Sequence, residues 1–208
     1  MKIIILCLVL IFIVWTLYGY FASRVENTSY TVVEEKQEYE IRLYPKHLVA
    51  QTAVSGDYDQ SLNEGFKIVA GYIFGGNKKK QPIAMTAPVA LNNNESENIA
   101  MTAPVSVTGT EQGSTVSFAM PKQYTLETLP EPTDVRVKIV EVPEKKLAVI
   151  RFAGWRSSSK NQKKSELLQE LLKKDGFNIV SSNYIYAGYN APFTPPWMTR
   201  NEVMIEIN

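Results

Sequence analysis

The strongest constraint on the fold is a pattern that the chain writes twice. Pro45, Ala50 and Gly56 recur 98 positions later as Pro143, Ala148 and Gly154. Around the first set, Tyr39, Ile41 and Leu43 alternate with Glu40, Arg42 and Tyr44, the period of a half-buried strand; Pro45-Lys46-His47 turns the chain, and Leu48 to Val54 is a second apolar run. Around the second set, Val135, Val137 and Ile139 alternate, Pro143-Glu144-Lys145 turns, and Leu147 to Phe152 runs to Gly154.

A helix is predicted after each glycine. In the first, Asp57 caps with Gln60 three residues on, Leu62, Phe66, Val69 and Ile73 form one stripe, and Gly75-Gly76 ends it. In the second, Ser159 and Gln162 make a capping box, Leu167, Leu168, Leu171 and Leu172 form the stripe, and Asp175-Gly176 stops it. At a shift of 104, Ala87-Pro88 falls on Ala191-Pro192. The expectation is a duplicated α+β domain, halves about 29–107 and 114–207, with a mostly antiparallel sheet and its helices on one side.

Within the first half, Ile-Ala-Met-Thr-Ala-Pro-Val occurs at Ile83 to Val89 and again at Ile99 to Val105, around a spacer containing Asn92-Asn93-Asn94. The spacer is turn-rich, so the copies are expected to fold back as paired strands. Met85, Ala87 and Val89, like Met101, Ala103 and Val105, would share one face as core. Pro88 and Pro104 cannot donate to a ladder, which points to edges or bulges and a sheet bent toward closure.

Ile3 to Phe21 is a run of 19 residues without a charge, close to the roughly 20 that cross a hydrocarbon core. We read residues 1–24 as a retained signal anchor, a single-pass transmembrane helix, and residues 25–208 as the domain. A cleaved signal peptide is the rival; its apolar region is usually about 7–15 residues followed by small residues, whereas this run exits through Tyr18-Gly19-Tyr20-Phe21. Trp15, Tyr18 and Tyr20 suit the aromatic belt, and Lys2 against Arg24 favours an exported domain.

A net charge of +1 gives no general attraction to nucleic acid, and Lys78-Lys79-Lys80 reads as a solvated loop. The single cysteine, Cys7, lies in the apolar run, so residues 22–208 hold no thiol. With one histidine, no phosphate loop and no paired-carboxylate motif, the reading is a protein that is not an enzyme. His47, in its Pro-Lys-His turn, reads as a solvated side chain, and no metal site is assigned.

The stretch Gly188 to Arg200 (GYNAPFTPPWMTR) carries Phe193, Trp197 and Met198 where loops are usually polar, so it has something apolar to cover. Here the chain resembles the SOUL haem-binding protein family, through Tyr39-Glu40-Ile41-Arg42-x-Tyr44, Met85-Thr86-Ala87-Pro88-Val89, Ala187-Gly188-Tyr189-Asn190-x-Pro192 and Arg200-Asn201-Glu202-Val203. The resemblance spans about residues 29–207. It implies a distorted antiparallel β-barrel with two helices and an internal pseudo-two-fold duplication, similar to GyrI-like small-molecule-binding domains.

It also implies haem or another tetrapyrrole held in an apolar groove beside the first helix. Mapped onto this chain, the groove takes Asn63, Phe66, Lys67 and Ala70 from the helix and Tyr189, Trp197, Met198 and Arg200 from the loop side, with Lys67 or Arg200 meeting propionates. The axial histidine proposed for some members falls on Leu43, and an arginine that some carry on the helix falls on Asn63, so the guest is expected without an axial histidine. Two further readings stand: a scaffold presenting its curved sheet to a protein partner that the sequence does not identify, and a site for another apolar small molecule or for lipid.

Overall fold

The computed structural model describes residues 1–22, 26–56, 58–78, 102–103, 105–110, 113–155, 157–181, 183–190 and 193–208. Among these residues nine strands form one antiparallel sheet: β1 (Thr31–Glu35), β2 (Glu40–Tyr44), β3 (His47–Val54), β4 (Val105–Thr110), β5 (Gly113–Ala119), β6 (Lys138–Val142), β7 (Lys145–Phe152), β8 (Ile185–Gly188) and β9 (Asn201–Glu206). Among the described residues three α-helices accompany it: α1 (Lys2–Ala22), α2 (Tyr58–Ile73) and α3 (Ser158–Lys174). The sheet order is β6-β3-β5-β4-β8-β9-β7-β2-β1.

That order reads the same from both ends once β1 is set aside. Each half lends its first strand to the other: β2 pairs with β7, and β6 pairs with β3. The registers are equivalent at the shift of 98, since Tyr44 faces Lys145 as Val142 faces His47, and Ile41 faces Ala148 as Ile139 faces Ala50. The halves meet at β4 and β8, where Val107 lies opposite Tyr186. Gly56 and Gly154 both take φ values only glycine adopts freely, +125° and +114°, at the same strand-to-helix corner.

The sheet is open, which corrects the barrel. At one edge β1 is exposed along its whole length, and its pairing with β2 slips between Val32 and Glu34. At the other edge β6 exposes Lys138 and Glu141. A slipped, exposed strand at one end and a charged one at the other present no surface for closure.

Both α2 and α3 lie on one face of the sheet. Leu62, Val69 and Ile73 of α2 pack with Ala50, Val116 and Phe118. Leu168 and Leu172 of α3 pack with Ala148, Ile150, Val203 and Ile205, while Leu167 and Leu171 are half-buried beside them. α2 comes unusually close to the sheet because residue 65 is glycine: a Cβ there would overlap the Val116 side chain.

Several local expectations shift. α3 is capped by Ser157, whose hydroxyl accepts from the Lys160 amide, rather than by Ser159. The strand expected at Val135 begins at Lys138, because the Asp134 carboxylate accepts from the Arg136 amide and holds a turn that leaves Val135 82% exposed and Val137 buried. β2 is covered on both faces, with Arg42 and Tyr44 as buried as Ile41. Asp57, the first Met-Thr-Ala-Pro-Val copy, Met101, Pro104, Lys79, Lys80, Ala191 and Pro192 lie outside the described residues. Of the second copy, Thr102–Ala103 pairs in parallel with Glu26–Asn27, and Val105 opens β4.

α1 is the one helix among the described residues long and apolar enough to cross a membrane, with a mean hydropathy of 2.6 over an 18-residue window. Its apolar side chains are exposed nearly throughout.

Candidate functional site

A cavity of about 280 Å³ opens between α2 and the chain from β8 to β9. α2 contributes Leu62, Asn63 and Phe66, the part of its stripe nearest the Gly56 corner, with Phe66 held against Phe118 at 5.2 Å between ring centroids. Across from them stand Tyr186, Gly188, Tyr189 and Asn190. Phe193 and Trp155, 79% and 60% exposed, line the cavity as well. Phe193 has φ +65°, a left-handed conformation uncommon for a bulky side chain.

The floor is a hydrogen-bonded knot around Gly154. Its amide donates to the Pro196 carbonyl at 2.9 Å and to Thr199 Oγ1 at 2.9 Å, and its carbonyl accepts from Asn201 Nδ2 at 3.0 Å. Tyr186 donates its hydroxyl to Asn201 Oδ1 at 2.6 Å. A Cβ on residue 154 would stand 2.5 Å from Lys160 Nζ, which itself donates to the Ala153 carbonyl at 2.6 Å. The cavity thus has aromatic walls and a polar floor, with an ammonium beside Gly154.

On the opposite face of the sheet lies a buried charge cluster. Glu202 is fully buried and accepts from Arg42 Nη1 at 2.9 Å, Tyr189 Oη at 2.6 Å and Arg200 Nε at 2.8 Å. The Arg200 guanidinium lies 3.9 Å from the Tyr189 ring centroid, and that of Arg42 4.2 Å from the Tyr30 ring. Burial, reinforced by the Glu202 charge, pushes the phenols of Tyr189 and Tyr44 above their ordinary range. Tyr189 joins the two regions, lining the cavity while its hydroxyl is committed to Glu202.

Of the eight residues expected at the site, Asn63, Phe66 and Tyr189 line the cavity and five do not. Ala70 is buried in the core under α2, and Lys67 is exposed on that helix. Arg200 is two positions from Glu202, so strand alternation puts both on the far face and Asn201 toward the cavity. Trp197 and Met198 turn toward α1: Trp197 stacks on Phe12, and Met198 lies near Gly19. His47 accompanies a second cavity of about 220 Å³ on the far face, its Nδ1 2.8 Å from the Pro45 carbonyl. Asn201 and Phe193 sat inside the motifs quoted above but were not assigned; Trp155, after Gly154, carried no pattern.

The match with known proteins follows the geometry. Residues 25–206 match the model of the SOUL heme-binding protein family. The chain belongs to that family. It is 33% identical over 155 residues to heme-binding protein 2 of Homo sapiens, covering 74% of this chain and 71% of that one, and 28% identical over 184 residues to heme-binding protein 1 of Xenopus laevis, covering 86% and 90%. In fold it is similar to an uncharacterised conserved protein from Listeria innocua (TM-score 0.56, 13% identity, 83% and 93% covered) and to the EcmrR C-terminal domain (0.55, 8%, 86% and 98%). At those identities the likeness concerns fold alone. The members named as heme-binding make haem the ligand to test against this cavity.

Proposed function

We propose that this SOUL family member is a membrane-anchored, non-catalytic module that holds haem or a related tetrapyrrole in the cavity beside α2. The observation that carries the reading is the cavity itself, with aromatic walls on both sides and room left by the protein's own side chains. Its volume of about 280 Å³ falls just below the roughly 300–1,000 Å³ of small-molecule sites, so part of a macrocycle would project past Trp155 and Phe193. Among the described residues that line it there is no histidine, cysteine or methionine, and the Tyr186 and Tyr189 hydroxyls are held by Asn201 and Glu202, so affinity would come from ring burial rather than an iron bond. Lys160, beside Gly154, replaces Lys67 and Arg200 as the cation suited to a propionate.

In this reading α1 is a single-pass anchor, residues 25–208 form the domain on the exported side, and the equivalent registers of the two halves descend from a duplication. The test is a haemin titration of the full chain in detergent, followed by haem absorbance and tryptophan quenching. Saturable one-to-one binding at micromolar ligand is expected. Asn63 is exposed at the cavity wall, so Asn63→Trp should fill the cavity, abolish binding and leave the circular dichroism unchanged. Equal binding by Asn63→Trp, or none by the parent, defeats the reading.

A further inference from the structure

α1 does not stand apart from the domain. Phe12, Trp15 and Gly19, three and four residues apart and so on one stripe, lie against the segment from Phe193 to Met198. Trp15 donates its indole N–H to the Phe193 carbonyl at 2.7 Å. The Trp197 ring stacks on Phe12 at 5.4 Å and meets Trp15 edge-on at 5.2 Å. Gly19 is buried, and a Cβ there would stand 2.6 Å from Pro195 Cδ and 3.3 Å from Met198 Sδ, so close approach depends on glycine.

Helix geometry gives this contact a depth. At about 1.5 Å per residue, Trp15 and Phe12 lie about 10 and 15 Å along the axis from Ala22. The helix is about 31 Å long against a hydrocarbon core of about 30 Å, leaving little length to spare. Trp197 touches both aromatics, so it cannot stand clear of a bilayer that α1 crosses.

Irregular backbone survives near hydrocarbon only when its polar groups are satisfied. Pro195 and Pro196 have no N–H to satisfy. The Pro195 carbonyl accepts from the Met198 amide at 2.9 Å, the Pro196 carbonyl from the Gly154 amide at 2.9 Å and Thr199 Oγ1 at 2.8 Å, and the Phe193 carbonyl from Trp15. The side chains this segment turns outward are Phe193 and Trp197, 79% and 51% exposed. A segment with these carbonyls satisfied, two residues without an N–H and outward aromatics suits lipid and is costly in water.

We propose that the Phe193–Met198 segment is a lip that dips beside α1 into the leaflet on the domain's side of the membrane, so that the mouth of the cavity, flanked by Phe193, opens at the lipid surface. The inference rests on α1 being a membrane anchor. It is tested with the full chain in phosphatidylcholine vesicles whose acyl chains carry bromine. The chain has three tryptophans, so the quenching lost in Trp197→Phe reports Trp197, and that lost in Trp15→Phe reports Trp15.

Both should be quenched. In Gly19→Leu, whose side chain would collide with Pro195, the quenching of Trp15 should persist and that of Trp197 should be lost. Quenching of Trp15 without Trp197 in the parent chain overturns the lip and leaves the anchor standing. Quenching of neither, with the chain failing to float with the vesicles, overturns the anchor and the lip together.

Discussion

Replacing Glu202 by Gln isolates the charge at the centre of the buried cluster. The amide keeps the volume and an acceptor oxygen for Tyr189, while the negative charge shared by Arg42 and Arg200 disappears. The Arg42 side chain is 2% exposed and, among the described residues, would keep only Glu40, at 2.7 Å and 33% exposed, as a carboxylate partner. Breaking a buried ion pair from one side costs about 3–5 kcal/mol because a charge is left without compensation. Glu40 offsets part of this, so the low end, about 3 kcal/mol, is expected. For a chain of this size each kcal/mol moves Tm by about 2–4 °C, so the loss should be about 6–12 °C.

The assay is thermal unfolding of the full chain in detergent, read by tryptophan emission. Glu34→Gln serves as a control, because the Lys36–Glu34 pair at 2.6 Å has side chains 34% and 44% exposed, and an exposed pair is worth about 0–1 kcal/mol. If Glu202→Gln shifts Tm no more than Glu34→Gln does, the cluster is not held by its charge and the reasoning fails.

Gly65→Ala should lose about 1–3 kcal/mol by overpacking against Val116, although alanine inside a helix normally gains about 1 kcal/mol; a rise in the urea midpoint would contradict the packing. Burial raises the pKa of Tyr39, Tyr44, Tyr184 and Tyr189, with a hydrogen bond to Asp175 adding to the effect at Tyr39. Their folded values stand above the unfolded value of about 10, so the stability they contribute is complete below that pH and is lost as pH rises toward the folded values. Tyrosinate absorbance should therefore show these four ionising above the ordinary tyrosine range in the folded chain, and their titration near pH 10 in the folded chain would contradict the burial.

Periodicity was sufficient for β2, β3, β7, α2 and α3 and for their order. The stripes Leu62-Phe66-Val69-Ile73 and Leu167-Leu168-Leu171-Leu172 are the faces that α2 and α3 bury or half-bury, and the shift of 98 relating Pro45 to Pro143 is the shift relating their strand registers. These features are local or set by pairing between similar segments, so apolar spacing and turn residues carry them. The apolar run of α1 was legible for the same reason, since length and the lack of charge need no partner.

Assignments that depended on which partner a side chain meets were decided only in three dimensions. Arg42 looked like the outer face of a half-buried strand, but β2 has Glu202 and Tyr30 against that face. Arg200 was expected at a propionate, yet its place just before β9, two positions from Glu202, aims it at that carboxylate, across the sheet from the cavity that Asn201 faces. Trp197 was expected over a ligand and lies on α1. Whether the sheet closes was likewise settled by its two edge strands, whose exposure and charge take effect only once their neighbours are in place. Spacing along a chain records which residues share a face; what that face touches is a property of contacts between segments far apart in sequence.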